Sequence, residues 1–430
     1  MRPAALGPCL IALALFSAGC GGGDTSSRAT PPQQVVRAPQ GLSFTVSPST
    51  LTFSSIATQT FTATTQFAGA ISATSSNPSI ASVTPSSADA IKDPNDSGKS
   101  VTFSVTSVGS GTTTIAVTDK QSDRVTISVT ISIPIVIRGS FTEYALPTAS
   151  SGPSAIALGA DGALWFTEYF ANKIGRITTG GIITEFAVST SNALPYGIAA
   201  GPDGALWFTE IGTSKIGRIT STGTITEFAL PTNGSSPVGI TAGPDGAMWF
   251  VEEGGNRIGR ITTAGSISEF AMPNTPNASL SIAVGSDGAL WYTAQAPNLI
   301  GRMTTGGLFA QFSIPTSNSD VSDIASGPDG NLWFTEQEGN RISRITTSGA
   351  ITEFVVPTVR AIPLGIAKGP DDAVWFTEAS GDRIGRITVA GNITEFSIPT
   401  TGGNTQFLTT GPDSAIWFTE FSSGKIGRLQ

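Results

Sequence analysis

Six glutamates stand at one fixed distance from a tryptophan. Glu168, Glu210, Glu252, Glu336, Glu378 and Glu420 each lie three residues past a Trp. Carboxylates repeated at one end of a structural unit could hold a divalent cation, which binds several hard oxygen ligands. Glu336 and Glu378, from successive repeats, are the candidate metal pair. Glu338 follows Glu336 by two residues in TEQEGN. Two crowded carboxyls can push one pKa towards neutrality, so Glu336 and Glu338 are the candidate catalytic acid and base. The plainer alternative is an exposed acidic loop beside a structural charge network.

Other charges keep the same rhythm. A cation comes eight residues past the Trp (Lys173, Lys215, Arg257, Arg341, Arg383 and Lys425). An Arg comes eleven past, and a second Glu comes twenty past, as at Glu185 and Glu227. The fourth repeat has Ala294, Leu299 and Gln311 in place of Glu, cation and Glu, while Arg302 stays. Losing one member of a buried ionic network strands the others, so joint loss suggests that the three form one network. An Asp recurs four residues before every Trp, from Asp161 to Asp413. A ring of carboxylates for metal is one reading; a turn cap in P-D-G, repeated seven times, is the simpler one.

The chain contains no His, which removes the commonest general base and the commonest transition-metal ligand. Its net charge is −8 and it has no basic stripe, so nucleic acid is not an expected partner. Four residues that break the repeat are candidate ligand-binding groups: Tyr196, Asp323, Arg360 and Gln406. Three of them sit in or beside the varied loops SNALPYG, TVRAIPLG and TGGNTQF, and Asp320 breaks the pattern near Asp323. A specific ligand needs such asymmetry, and drifting loops would produce it as well.

The elements that position these groups follow from the period. The seven Trp, from Trp165 to Trp417, are spaced 42 residues apart without exception. Each unit holds four strand-like segments, as in PYGIAAG, ALWFTE, KIGRIT and TITEFAL, with a tight turn at GPDG. That pattern predicts an all-β, seven-bladed β-propeller over residues 138–430, with each Trp packed between blades. The last repeat stops after its third segment, KIGRLQ, and SFTEYALP supplies a segment of the missing type, in phase at Glu143. The strand at 140–146 is therefore expected to pair with 425–430 and close the ring, removing the open sheet edges.

The N-terminal part differs in character. Residues 1–20 read as a signal peptide with a short apolar run, and Ser17-Ala18-Gly19-Cys20 is similar to a lipobox. Lipidation at Cys20 would anchor the mature chain to a bacterial membrane, outside the cytoplasm. Residues 21–40 read as a flexible Gly/Ser/Pro linker. Residues 41–137 alternate Val, Ile, Thr and Phe in short runs, the pattern of a β-sandwich, and they resemble a bacterial immunoglobulin-like domain. The stretch DPNDSG (93–98) lacks a Glu at the twelfth position of a calcium loop and reads as a polar turn.

The unit P-x-G-I-x-x-G-P-D-G-x-L-W-F-T-E, followed by K-I-G-R-I-T and I-T-E-F, closely resembles the streptogramin B lyase (virginiamycin B lyase) family. The resemblance implies a seven-bladed propeller and a Mg²⁺-dependent elimination that opens a cyclic depsipeptide, with glutamates and histidines as the working groups. The glutamates are here and the histidines are not. The expected function is therefore a cell-surface binding or scaffold module for a small cyclic peptide, a glycan or a protein. The competing expectation is a Mg²⁺-dependent lyase or lactone-opening enzyme that uses Glu alone.

Overall fold

The computed structural model forms two compact units, Met1–Pro134 and Ile135–Gln430. The described residues are 34–37 and 43–430, apart from 54–57, 66–69, 79–80, 90, 93–98, 108–110, 120–123, 132–136, 138, 274–279 and 297. Cys20 and the DPNDSG turn lie outside them.

The first unit is two sheets that share one core. One sheet orders Gln34–Arg37, Ser43–Ser47, Thr58–Thr65, Lys99–Ser107 and Ala81–Thr84, with Ile91–Lys92 also paired to Lys99–Ser107. The other orders Thr50–Phe53, Arg124–Ile131, Gly111–Thr118, Ala70–Ser75 and Ser87–Asp89. Alternation sends every second side chain inward, so Phe61, Ile71, Phe103, Ile115 and Ile127 fill the core. Phe61 lies opposite Phe103 in register, and their rings stack at 5.1 Å. Part of the stretch read as linker is a strand: Gln34–Arg37 pairs from Gln34↔Val46 to Arg37↔Ser43. Its Val35-Val36 pair favours extended backbone, which the surrounding Gly and Pro obscured.

The second unit is propeller-like, and among the described residues its regular elements are all strands. It contains seven four-stranded antiparallel sheets. Burial peaks at the second strand and falls outwards from it. In one sheet the second strand Leu206–Glu210 is buried throughout, the third strand Lys215–Ile219 is mostly buried, and the outer strand Ile225–Ala229 is half-exposed. The innermost strand of each sheet contacts that of the next, and Pro153–Leu158 contacts Thr405–Thr410, so the cycle closes. Phe141–Ala145 completes the last sheet by pairing with Lys425–Leu429, from Phe141↔Leu429 to Ala145↔Lys425. The pairing expected from the phase of Glu143 is the one observed.

Each Trp is fully buried between sheets. Trp165 packs in one cluster with Ile198, Leu206 and Phe208 of the following sheet, and Trp417 packs with Ile156 and Phe166 of the first. The glycine of K-I-G-R-I has a steric cause. A Cβ on Gly217 would come within 2.0 Å of the Phe208 ring.

Candidate functional site

The repeated Asp is a clamp. Asp161 Oδ1 accepts from the Trp165 indole at 3.1 Å, and Oδ2 accepts from Arg176 Nε at 2.8 Å. The guanidinium of Arg176 then lies 5.8 Å from the centre of the Trp165 ring. The same pattern recurs at Asp203, Asp245, Asp287 and Asp413. Burial works against ionisation at Asp161, yet the bonds from Arg176 and Trp165 hold its carboxyl below the usual range. Its oxygens are committed to the fold, which settles the turn-cap reading over a metal ring.

The Glu twenty residues past five of the Trp, with Glu143 as its equivalent for the last, ties neighbouring sheets. Glu185 accepts from the Thr148 amide at 3.0 Å and from Lys173 Nζ at 2.6 Å. Glu143 does the same across the closure, with Thr400 and with Lys425 at 2.8 Å. Burial opposes ionisation at Glu185, and the bonds from Lys173 and Thr148 bring its pKa below the ordinary value.

The glutamates three past the Trp do something else. Glu168, Glu210, Glu252, Glu336, Glu378 and Glu420 are each 0% exposed. Both carboxyl oxygens of Glu252 lack a hydrogen-bond partner. Burial is the main cause that raises these glutamates, reinforced by the second Glu of the same sheet. Glu168, Glu210 and Glu336 rise to about 7, and Glu252 and Glu378 to about 8. The expected network of two Glu and a cation is present, with a Thr added. Cation, second Glu and Thr form the tightly bonded set, and the first Glu is coupled to the cation and the second Glu mainly by charge. The strand end points its carboxyl inward, where it gives up water without gaining a cation.

This geometry does not assemble the metal pair. Glu336 and Glu378 end separate strands, Leu332–Glu336 and Ala373–Glu378, and each is enclosed in its own sheet. Among the described residues no three acidic, His or Cys side chains converge as a metal site would require. Glu336 and Glu378, each enclosed in its own sheet, do not converge on one ion, so they do not fit Mg²⁺ as a shared pair.

Nor does it assemble the catalytic pair. One oxygen of Glu336 is bonded by the hydroxyl of Ser343, which stands where the other six repeats have Gly. The carboxylate that presses on Glu336 is Glu353. Glu338 lies within the turn that follows the strand, exposed, in a shallow cleft of about 430 Å³ with Gln295, Ala296, Asn318 and Asp320. Its charge acts on Asp320, whose pKa is raised first by burial and then by Glu338. A two-residue spacing across a strand end separates the groups that the sequence placed side by side.

The four candidate ligand residues divide. Tyr196 and Asp323 line one cavity of about 160 Å³ at the centre of the ring, together with Ser281 and Phe407. Arg360 is exposed in a loop with a φ of 54°, away from that lining. Gln406 is half-buried, and its carbonyl accepts the Thr377 hydroxyl at 2.8 Å. That last bond belongs to a set the sequence reading missed. The Thr of W-F-T-E bonds the inner strand of the next sheet, as in Thr209 to the Val238 carbonyl at 2.8 Å. Thr419 to Ser154, at 2.6 Å, closes the ring. The signal was the Thr that precedes each Glu, replaced once by Val251.

Comparison with known proteins places this architecture. The model of the virginiamycin B lyase family matches residues 56–282 and 274–430. A streptogramin B lyase structure is 40% identical, with a TM-score of 0.65, over 68% of this chain and 97% of that one. A catalytically inactive histidine-to-alanine variant of the Staphylococcus aureus virginiamycin B lyase, with quinupristin, is 42% identical. It too has a TM-score of 0.65, over 68% of this chain and 99% of that one. The hydrazine synthase of Kuenenia stuttgartiensis shares the fold at 15% identity and a TM-score of 0.55, over 69% of this chain and 99% of that one.

Proposed function

This chain belongs to the virginiamycin B lyase family, and from that premise we propose that it is a binding module that does not carry the lyase reaction. In this reading an immunoglobulin-like sandwich, residues 41–137, carries a seven-bladed propeller, residues 138–430. A lipid on Cys20 tethers both outside the cytoplasm of a bacterium. Seven four-stranded sheets with a closed cycle of inner strands support the propeller, and two sheets over one core support the sandwich.

One observation carries the functional part. The chain has no His, and a related lyase becomes inactive when one His is replaced by Ala. Opening a depsipeptide by elimination needs a base beside a carbonyl. The glutamates nearest that task are buried inside the sheets, and burial raises their carboxyls, Glu336 to about 7 and Glu378 to about 8. Identity of 40–42% to lyases favours the second reading, Mg²⁺-dependent ring opening by Glu alone.

One assay separates the two. Residues 21–430 are incubated with a streptogramin B, with Mg²⁺ or with EDTA, and retention is followed by chromatography, because elimination opens the ring without a change of mass. The expected result is no conversion in either arm. Conversion that needs Mg²⁺ would overturn the binding-module reading.

A further inference from the structure

Ten residues before each Trp, one position per repeat lies in or beside the innermost strand, and all of them but Gly365 line the central cavity. The seven are Ala155, Gly197, Gly239, Ser281, Asp323, Gly365 and Phe407. Six are small or apolar, and one is a carboxylate. Asp323 is 9% exposed and lines the central cavity. It accepts from the Ser281 hydroxyl at 2.5 Å, from the Ile324 amide at 2.9 Å and from the Ile366 amide at 2.9 Å. These neutral donors fix its orientation and leave its charge unmatched. No Lys or Arg is among the described residues lining the cavity. Burial raises the Asp323 carboxyl to about 6 despite those bonds.

A second observation points outwards from the same place. The Tyr196 ring lines the cavity, 6.0 Å from Phe407 and 6.4 Å from Tyr169. Tyr169 meets Phe170 at 5.1 Å and Phe421 at 6.3 Å. The chain of rings therefore runs from the buried carboxylate to the surface, where Phe170 is 63% exposed. Other repeats place Gly, Ala, Ser or Glu at the Phe170 position. Tyr196 is pushed up to about 12 by burial first, then by the charges of Asp323 and Glu253.

We propose that the mouth of the central channel receives an organic ammonium ion, its cationic head directed at Asp323 and its aromatic or aliphatic body on Tyr169, Phe170 and Phe421. This deepens the binding-module reading and rests on it. A cavity of about 160 Å³ admits a head group and a short carbon chain, and is smaller than the pockets that enclose drug-sized molecules. Electron-rich ring faces and an unmatched buried carboxylate are complementary to a cation and hostile to an anion.

The test is calorimetric titration of residues 21–430 with phenethylammonium, with 2-phenylethanol as its neutral counterpart and with phenylacetate. Saturable binding of the ammonium is expected, about tenfold or more tighter than the alcohol, with no binding of the anion. Asp323→Asn keeps the shape of the side chain and should weaken the ammonium about tenfold without changing the alcohol. Phe170→Ala, at an exposed site, should weaken both ligands several-fold with an unchanged melting temperature. Equal affinity for amine and alcohol, or no saturable binding of the amine, overturns the proposal. If Asp323→Asn fails to fold, the ligand series and Phe170→Ala still decide it. Streptogramin conversion by the same preparation would overturn the binding-module reading, whereas a null titration without conversion would overturn only the ligand class.

Discussion

Glu252 offers a sharp test of the sealed carboxyls. Both of its oxygens lack a partner, and burial, with the charge of Glu269, raises it from 4.5 to about 8. A raised carboxyl pKa means that the folded chain keeps a proton the unfolded chain gives up. Its contribution is therefore most favourable below pH 4.5 and is lost as pH rises from 4.5 to 8. The slope for one such group is about 1.4 kcal/mol per pH unit. Between pH 5.5 and 7.5 that is an upper bound of about 2.7 kcal/mol, and relaxation around the ionised form brings the expected change to about 1–2 kcal/mol. Glu252→Gln removes the titration and keeps the shape. Its cost as a buried amide does not vary with pH, so the difference between variant and parent should shift towards the variant by that amount. Urea unfolding followed by Trp fluorescence reports it, because all seven Trp lie in residues 138–430. A difference that stays constant from pH 5.5 to 7.5 would refute the claim that this carboxyl is held protonated.

Four other outcomes follow from the same geometry. Asp245→Ala removes the acceptor of the Trp249 indole and the partner of Arg260, and should cost about 1–3 kcal/mol in urea unfolding. Asp245→Asn keeps the indole bond and should cost less. Thr209→Val leaves the Gly197 amide and the Val238 carbonyl unmatched, for a loss of about 1–2 kcal/mol; Val251 shows that the shape itself fits. Gly217→Ala sets a methyl against the Phe208 ring and should lower the melting temperature, through overpacking of about 1–3 kcal/mol.

Much of the fold was legible because a repeat is written in the chain itself. Trp spacing, strand length and turn residues are local properties, and the phase of Glu143 foretold the pairing of Phe141–Ala145 with Lys425–Leu429. The functional candidates were less legible. Spacing put Glu336 beside Glu338, and the strand end turned one inward and left the other on the surface. Composition suggested a linker where Gln34–Arg37 adds an edge strand.

By itself the sequence determined an all-strand architecture, its period, its closure and the absence of any imidazole. Those depend on residue type and position alone. Only the tertiary structure decided which carboxylates are sealed, which are clamped and which one faces the channel. Glu252, Asp245 and Asp323 are all acids at positions defined by the repeat, yet one lacks a partner, one holds an indole and an Arg, and one lines the cavity. Asp245 finds its partners within its own sheet, whereas Asp323 takes Ser281 and Ile366 from neighbouring sheets about forty residues away along the chain, and no local pattern carries that information.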